Sequence, residues 1–219
     1  MDNNVMKIKR LLKWFPLYSE DLSIDLSIPS GRFRWFLASV LFGARISEQI
    51  AANTYRCFEA AGIVDAPDRI IEAGWDRLVE ILDAGGYVRY DFSTATKLLE
   101  IMTVLEQNYG SLENLYRHAS DGKDLEKRLQ GFKGIGPTTT QVFLRELRGI
   151  WQVQPKIAEI ACMSAANLNM RLNRYEGKML ARTETALVKL YLRYCKRRKC
   201  RQCPMADSCT KMIGQPQAQ

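Results

Sequence analysis

Apolar positions recur at helical spacing along nearly the whole of this 219-residue chain. Arg34–Gly43 reads as a short apolar helix. Ser47 is placed to cap a second helix whose periodic face is Ile50, Tyr55, Phe58 and Ala61, with Gly62 just past its end. Two short helices follow over Pro67–Ala73 and Asp76–Ala84, the latter stopped by Gly85-Gly86. A longer one over Ser93–Glu106 presents Leu98, Leu99, Met102 and Leu105 before Tyr109-Gly110. Ser111 starts another, with Leu115 inward. Asp124–Gln130 and Pro137–Leu147 flank a glycine-rich turn, and Lys156–Leu168 and Thr183–Tyr194 complete the series. Alternating runs of strand type and Asn-Gly turns are missing, so the expected fold class is all-α.

Charge changes the picture more than length does. The length suits one domain or two small ones, and a chain of this size needs no metal merely to have a core. Net charge is +8, and Tyr191–Lys211 alone carries seven Lys/Arg against the single Asp207. A concentrated basic segment points to nucleic acid. No run approaches the ~20 apolar residues of a membrane span, and the first fifteen residues lack a signal-peptide core. A cytoplasmic protein, nucleoid-associated if prokaryotic, is therefore expected, with cysteines that bind metal or stay reduced, and a monomer is expected as well. Cys57 falls on a helical face and is expected to be a buried small residue.

The other notable cysteines form a run, Cys195-x4-Cys200-x2-Cys203-x5-Cys209. Four thiolates this close suit an iron–sulfur cluster or a zinc ion, both of which take soft anionic sulfur. Zinc ribbons usually pair two C-x2-C knuckles, and only one is present. Lys196, Arg197, Arg198, Lys199 and Arg201 surround these cysteines and would meet a polyanion, with roughly four to six phosphate contacts giving steep salt dependence.

The most specific motif is the turn Phe132-Lys133-Gly134-Ile135-Gly136-Pro137-Thr138-Thr139-Thr140. Its glycines let backbone turn sharply and approach a ligand without Cβ interference. Pro137 suits the first position of the following helix, where a missing N–H costs nothing. The free N–H groups there, with the helix dipole, make an anion site, and Ile135 would tuck inward. Contacts of this kind position a nucleic-acid backbone rather than read sequence.

Together the turn, the cysteine run and Gly86-Tyr87 with Ala95 resemble the helix-hairpin-helix DNA glycosylase superfamily, in its endonuclease III-like branch, over about Arg32 to Cys209. The resemblance implies a two-lobed fold: a six-helix barrel lobe over 32–149 containing the hairpin at about 124–148, and a cluster lobe from 1–31 and 150–219. It implies a [4Fe–4S] cluster on Cys195, Cys200, Cys203 and Cys209, with zinc the lesser alternative. It implies double-stranded DNA, damaged or bent, as partner. The DNA contacts would come from Lys133, Gly134, Ile135, Gly136, Thr138 and Thr139, from Arg45 at the base-flipping gap, and from the cations around the cysteines.

Two departures bear on the chemistry. The lysine that follows the hairpin in bifunctional members is Thr138 here, and the family's catalytic Asp falls on Gln154. A hydroxyl forms no imine, and an amide supplies neither charge nor a basic site. Losing that carboxylate costs on the order of a thousandfold in rate. Lys133, Lys156 and Asp91 are the relocated candidates, each with a plainer reading as a phosphate contact or a loop charge. The expectation is a DNA-binding protein whose standard excision chemistry is lost or altered. The alternative is a monofunctional glycosylase, for example for alkylated bases, without Schiff-base lyase activity.

Overall fold

The computed structural model describes residues 3–213, with side chains from 5 to 212; residues 1–2 and 214–219, the outer ends of the expected cluster lobe, lie outside the described residues. The helices are α1 (Asn3–Trp14), α2 (Tyr18–Asp21), α3 (Pro29–Phe42), α4 (Glu48–Ala60), α5 (Pro67–Ala84), α6 (Asp91–Tyr109), α7 (Leu112–His118), α8 (Gly122–Gln130), α9 (Pro137–Glu146), α10 (Glu159–Asn167), α11 (Gly177–Leu190) and α12 (Thr210–Ile213). Among the described residues the only β-type pairing is one isolated bridge between Arg148 and Trp151. The all-α expectation holds. No described helix is long and apolar enough to cross a membrane.

The chain divides into two compact units, Leu22–Leu144 and Met1–Asp21 with Arg145–Gln219. In the first, α3 is buried on nearly every side, from Gly31 to Leu41, as expected of a helix apolar all round. It begins a turn and a half before the apolar run because Pro29 takes the first helical position after extended Ile28. Ser47 caps α4 by accepting from the Ile50 N–H at 3.2 Å, and Ala51, Thr54, Tyr55 and Phe58 face inward. Cys57, expected on that buried face, is only half-buried: it lies beside the Thr54–Phe58 stripe rather than within it.

The two short helices expected over 67–84 form one rod broken at Gly74, whose φ of 72° and ψ of 171° interrupt the helical path. Left-handed Gly110 closes α6, its N–H donating to Leu105 and Glu106 carbonyls. Asp121 caps α8 through the Asp124 N–H.

The second unit has its own apolar core, built from Leu11 of α1 and Phe15 just past its end, Ala161 and Ala165 of α10, Ala186, Leu187 and Leu190 of α11, and Met205. Beside it runs a buried polar network. Glu146 accepts from the Tyr18 and Ser19 N–H groups at 2.8 and 3.0 Å, capping α2 from a distant point in the chain. Lys189, fully buried, donates to Asp21 at 2.8 Å and sits 4.2 Å from the Tyr18 ring centroid. Buried cations of this kind are tolerated only when paired and hydrogen-bonded.

Candidate nucleic-acid interface

The hairpin is built as the sequence suggests and then pinned on two sides. Ile135 is 3% exposed and donates its N–H to the Phe132 carbonyl at 3.0 Å, closing the turn between α8 and α9. Gly134 has φ of 85°, a conformation that disfavours any side chain. The N–H groups of Gly134, Gly136, Thr138 and Thr139 find no backbone carbonyl among the described residues. They stand at the positive end of the α9 dipole, on a ten-residue helix. Gly134, Gly136 and Thr138 are accessible; the Thr139 side chain turns inward, leaving its N–H as what it can offer an anion.

One wall is α6. Lys97 lies against Gly134 so closely that a Cβ there would fall 2.4 Å from its Cδ. Burial lowers the Lys97 pKa below the ordinary lysine value. Lys133 pairs with Glu100 at 2.9 Å, one turn further along the same helix. The other wall is α3: Phe36 packs edge-on to Phe143 at 5.3 Å and tilted to Phe132 at 6.4 Å. At its end Gly43 meets Thr139, which brings the α3–α4 connection, with exposed Arg45, against the first turn of α9. The sequence marks Lys97 only as one more helical lysine, and nothing in it signals the contact with Gly134.

Asp91 is not a loop charge. It is the first residue of α6, 9% exposed, and accepts from the Phe92 N–H; partial desolvation and the neighbouring Asp91 carboxylate push Asp83 above its usual range. An acidic cleft of about 270 Å³ opens among the starts of α3, α5 and α7, edged by Asp65, Asp68, Glu106 and Glu113. Its sign is wrong for a phosphate backbone.

In the second unit the segment 152–158 forms no regular secondary structure, and its side chains alternate, with Trp151, Val153 and Pro155 inward and Gln152, Gln154 and Lys156 outward. Lys156 pairs loosely with Glu159 at 3.7 Å. A buried Arg148–Glu184 pair holds this segment: Arg148 donates to the Pro155 carbonyl at 2.6 Å, and Glu184 accepts from the Ala158 N–H at 2.9 Å. Gln154 is exposed on this anchored stretch.

The cysteines begin where α11 relaxes into a π-helical turn, Tyr191–Cys195, with Lys196 N–H bonded to the Tyr191 carbonyl at 2.8 Å. Arg198, at φ of 54°, turns the loop back toward Cys200. All four thiols are half-buried, and Cys195, Cys203 and Cys209 pack on the core around Met205. Burial pushes the Cys195 thiol up to about 11, and the charges of Cys203, Cys209 and Cys200 add to that effect. The Met205 N–H donates to Cys203 Sγ at 3.4 Å. Among the described residues no three His, Cys, Asp or Glu side chains converge on a position for one metal ion. Lys196, Arg197, Arg198, Lys199 and Arg201 are exposed, and no described carboxylate pairs with them.

No protein-family model matches the chain, and no curated protein matches it significantly in sequence. Its fold is similar to that of the H. pylori 3-methyladenine DNA glycosylase MagIII, solved bound to 1,N6-ethenoadenine. The TM-score is 0.52 at 16% identity, over 85% of this chain and 97% of that one. The all-helical fold thus resembles that of a DNA glycosylase.

Proposed function

We propose that this chain is a DNA-binding member of the helix-hairpin-helix glycosylase superfamily that grips damaged or distorted duplex DNA, its standard excision chemistry lost or altered. The hairpin carries the reading: four unpaired N–H groups at a helix start, in a turn pinned by α3 and α6, on a glycosylase fold. Thr138, exposed on α9, cannot form a Schiff base, and Gln154 cannot supply the acid. Arg45 and the five cations between Cys195 and Cys203 add phosphate contacts.

Cys195, Cys200, Cys203 and Cys209 fit a [4Fe–4S] cluster better than zinc. A single ion needs its sulfurs about 2.3 Å from one point, whereas a four-iron cluster is a larger body that takes its thiolates further apart. The run has a single C-x2-C knuckle where a zinc ribbon pairs two, and its four thiols are half-buried, three of them packed on the core around Met205. The Met205 N–H on Cys203 is the hydrogen bond that a thiolate ligand takes from its surroundings. When bound, the cluster cross-links the loop and holds its cations in place.

The neighbour's described activity supports a second reading, a monofunctional glycosylase for alkylated bases. A cationic alkylated base leaves readily and asks least of a protein without the acid. Incubation of the purified protein with duplexes bearing abasic, uracil, oxidised and alkylated bases separates the two. Salt-sensitive binding without base release is expected; release of an alkylated base at useful rates selects the second reading.

A further inference from the structure

The α5–α6 elbow exposes aromatic surface that the core does not use. Trp75 is 38% exposed, Phe92 59% and Tyr90 40%. Trp75 and Phe92 lie 5.4 Å apart between centroids with their planes 33° from parallel. The pair is fixed rather than loose: Trp75 Nε1 donates to Thr96 Oγ1 at 3.0 Å, and that hydroxyl donates to the Phe92 carbonyl at 3.0 Å. The break at Gly74 turns α5 so that Trp75 opens its second half. Beside the pair, the Arg89 guanidinium lies 5.5 Å from the Tyr90 ring centroid.

The same helix leads to the hairpin. Phe92 and Thr96 follow one another on α6, Lys97 lies against Gly134, and Glu100 holds Lys133. From Phe92 to Glu100 is about 12 Å along the helix axis, the rise of three to four stacked nucleotides. A strand held by its phosphate on the hairpin N–H groups would thus pass within reach of a flat aromatic face.

We propose that Trp75 and Phe92 form a stacking platform for an unpaired nucleobase, so that the protein favours DNA with a gap or single-stranded stretch over fully paired duplex. This rests on the DNA-binding reading and deepens it. A base is the occupant that the surroundings select. Arg77 is paired with Glu80 at 2.8 Å and Asp91 is turned inward, which sets Asp76 against Arg89 and Lys97 and leaves the ledge weakly cationic in a protein of net charge +8. Aromatic rings and stacked guanidinium groups bind bases with little regard to sequence.

The test is fluorescence anisotropy at one fixed salt concentration with three probes: a blunt duplex, the same duplex with a short central gap, and oligothymidine. Wild type, W75A, F92A, W75F and the hairpin variant G134E are compared, with melting curves to confirm that each folds. Wild type is expected to prefer the gapped duplex. W75A and F92A should lose about five- to a hundredfold in affinity for it and less than twofold for the blunt duplex, while W75F retains wild-type binding. If W75A and F92A bind gapped DNA as wild type does while G134E loses it, the platform is overturned and the hairpin reading stands. A wild type that binds none of the three probes overturns both.

Discussion

Gly43 and Thr139 are in such close contact that a Cβ on Gly43 would lie 2.2 Å from the threonine hydroxyl and 3.0 Å from its Cα. Because part of that contact is backbone, no side-chain rotation relieves it. Gly43→Ala is expected to cost about 1–3 kcal/mol, read as a fall of several degrees in melting temperature. It should also shift the first turn of α9 and weaken DNA binding by more than Gly136→Ala, where a Cβ meets nothing within 4 Å.

Arg148 and Glu184 are 1% and 0% exposed in their side chains, and between them hold the Pro155 carbonyl and the Ala158 N–H. Removing one partner strands the other charge in the interior. Arg148→Met should destabilise the protein by about 3–5 kcal/mol in urea unfolding. Exposed Lys156→Met, by contrast, should lie within about 0.5 kcal/mol of wild type.

Salt dependence tests the cysteine loop. Lys196, Arg197, Arg198, Lys199 and Arg201 are exposed. Each contact to a duplex phosphate contributes about 0.9 to the slope of log K against log salt. Replacing Arg197 and Arg198 with Gln should reduce that slope by about 1.8, measured by anisotropy from 50 to 200 mM salt. An unchanged slope would remove these two from the interface.

The proposed cluster has a spectroscopic test. Protein purified under anaerobic conditions is expected to absorb near 400 nm and to contain about four irons per chain. Cys203→Ser should abolish the band. It should also lower the melting temperature, because the loop then packs on the Met205 core without its cross-link. Zinc in place of iron would refute the cluster.

Lys97 carries a pH signature of opposite sign to the usual paired lysine. Burial lowers its folded pKa below 10.5, so the unfolded chain binds more protons between the two values. Its desolvation penalty is fully present below the folded pKa and is relieved as pH rises toward 10.5. Lys97→Met should therefore be more stable than wild type at pH 7, with the difference shrinking at alkaline pH in denaturant titrations.

Much of the helical layout was legible because it depends on local chemistry. Ser47, Ser111 and Gly110 end or begin helices by bonding residues three to five positions away. The glycine break at 74 separates the two apolar patterns that the sequence shows. The reading faltered where polar residues are buried. α11 begins at Gly177, six residues before the expected start, and its buried Glu184 and Lys189 are neutralised by Arg148 and Asp21, partners far away in sequence. α10 starts three residues later than expected, since Arg148 and Glu184 take up the Pro155 carbonyl and the Ala158 N–H.

The sequence by itself determined the helical class, the hairpin with its turn geometry, the cation-rich cysteine run, and the absence of a lysine and an acid at Thr138 and Gln154. Those follow from residue identity and short spacing. Only the tertiary structure decided that Lys97 sits beneath Gly134, that Gly43 docks on Thr139, that Asp91 is buried, and that Trp75 and Phe92 form an exposed ledge on the helix flanking the hairpin. Each is a contact between residues some tens of positions apart or a matter of which way a side chain faces, and local periodicity carries no information about either.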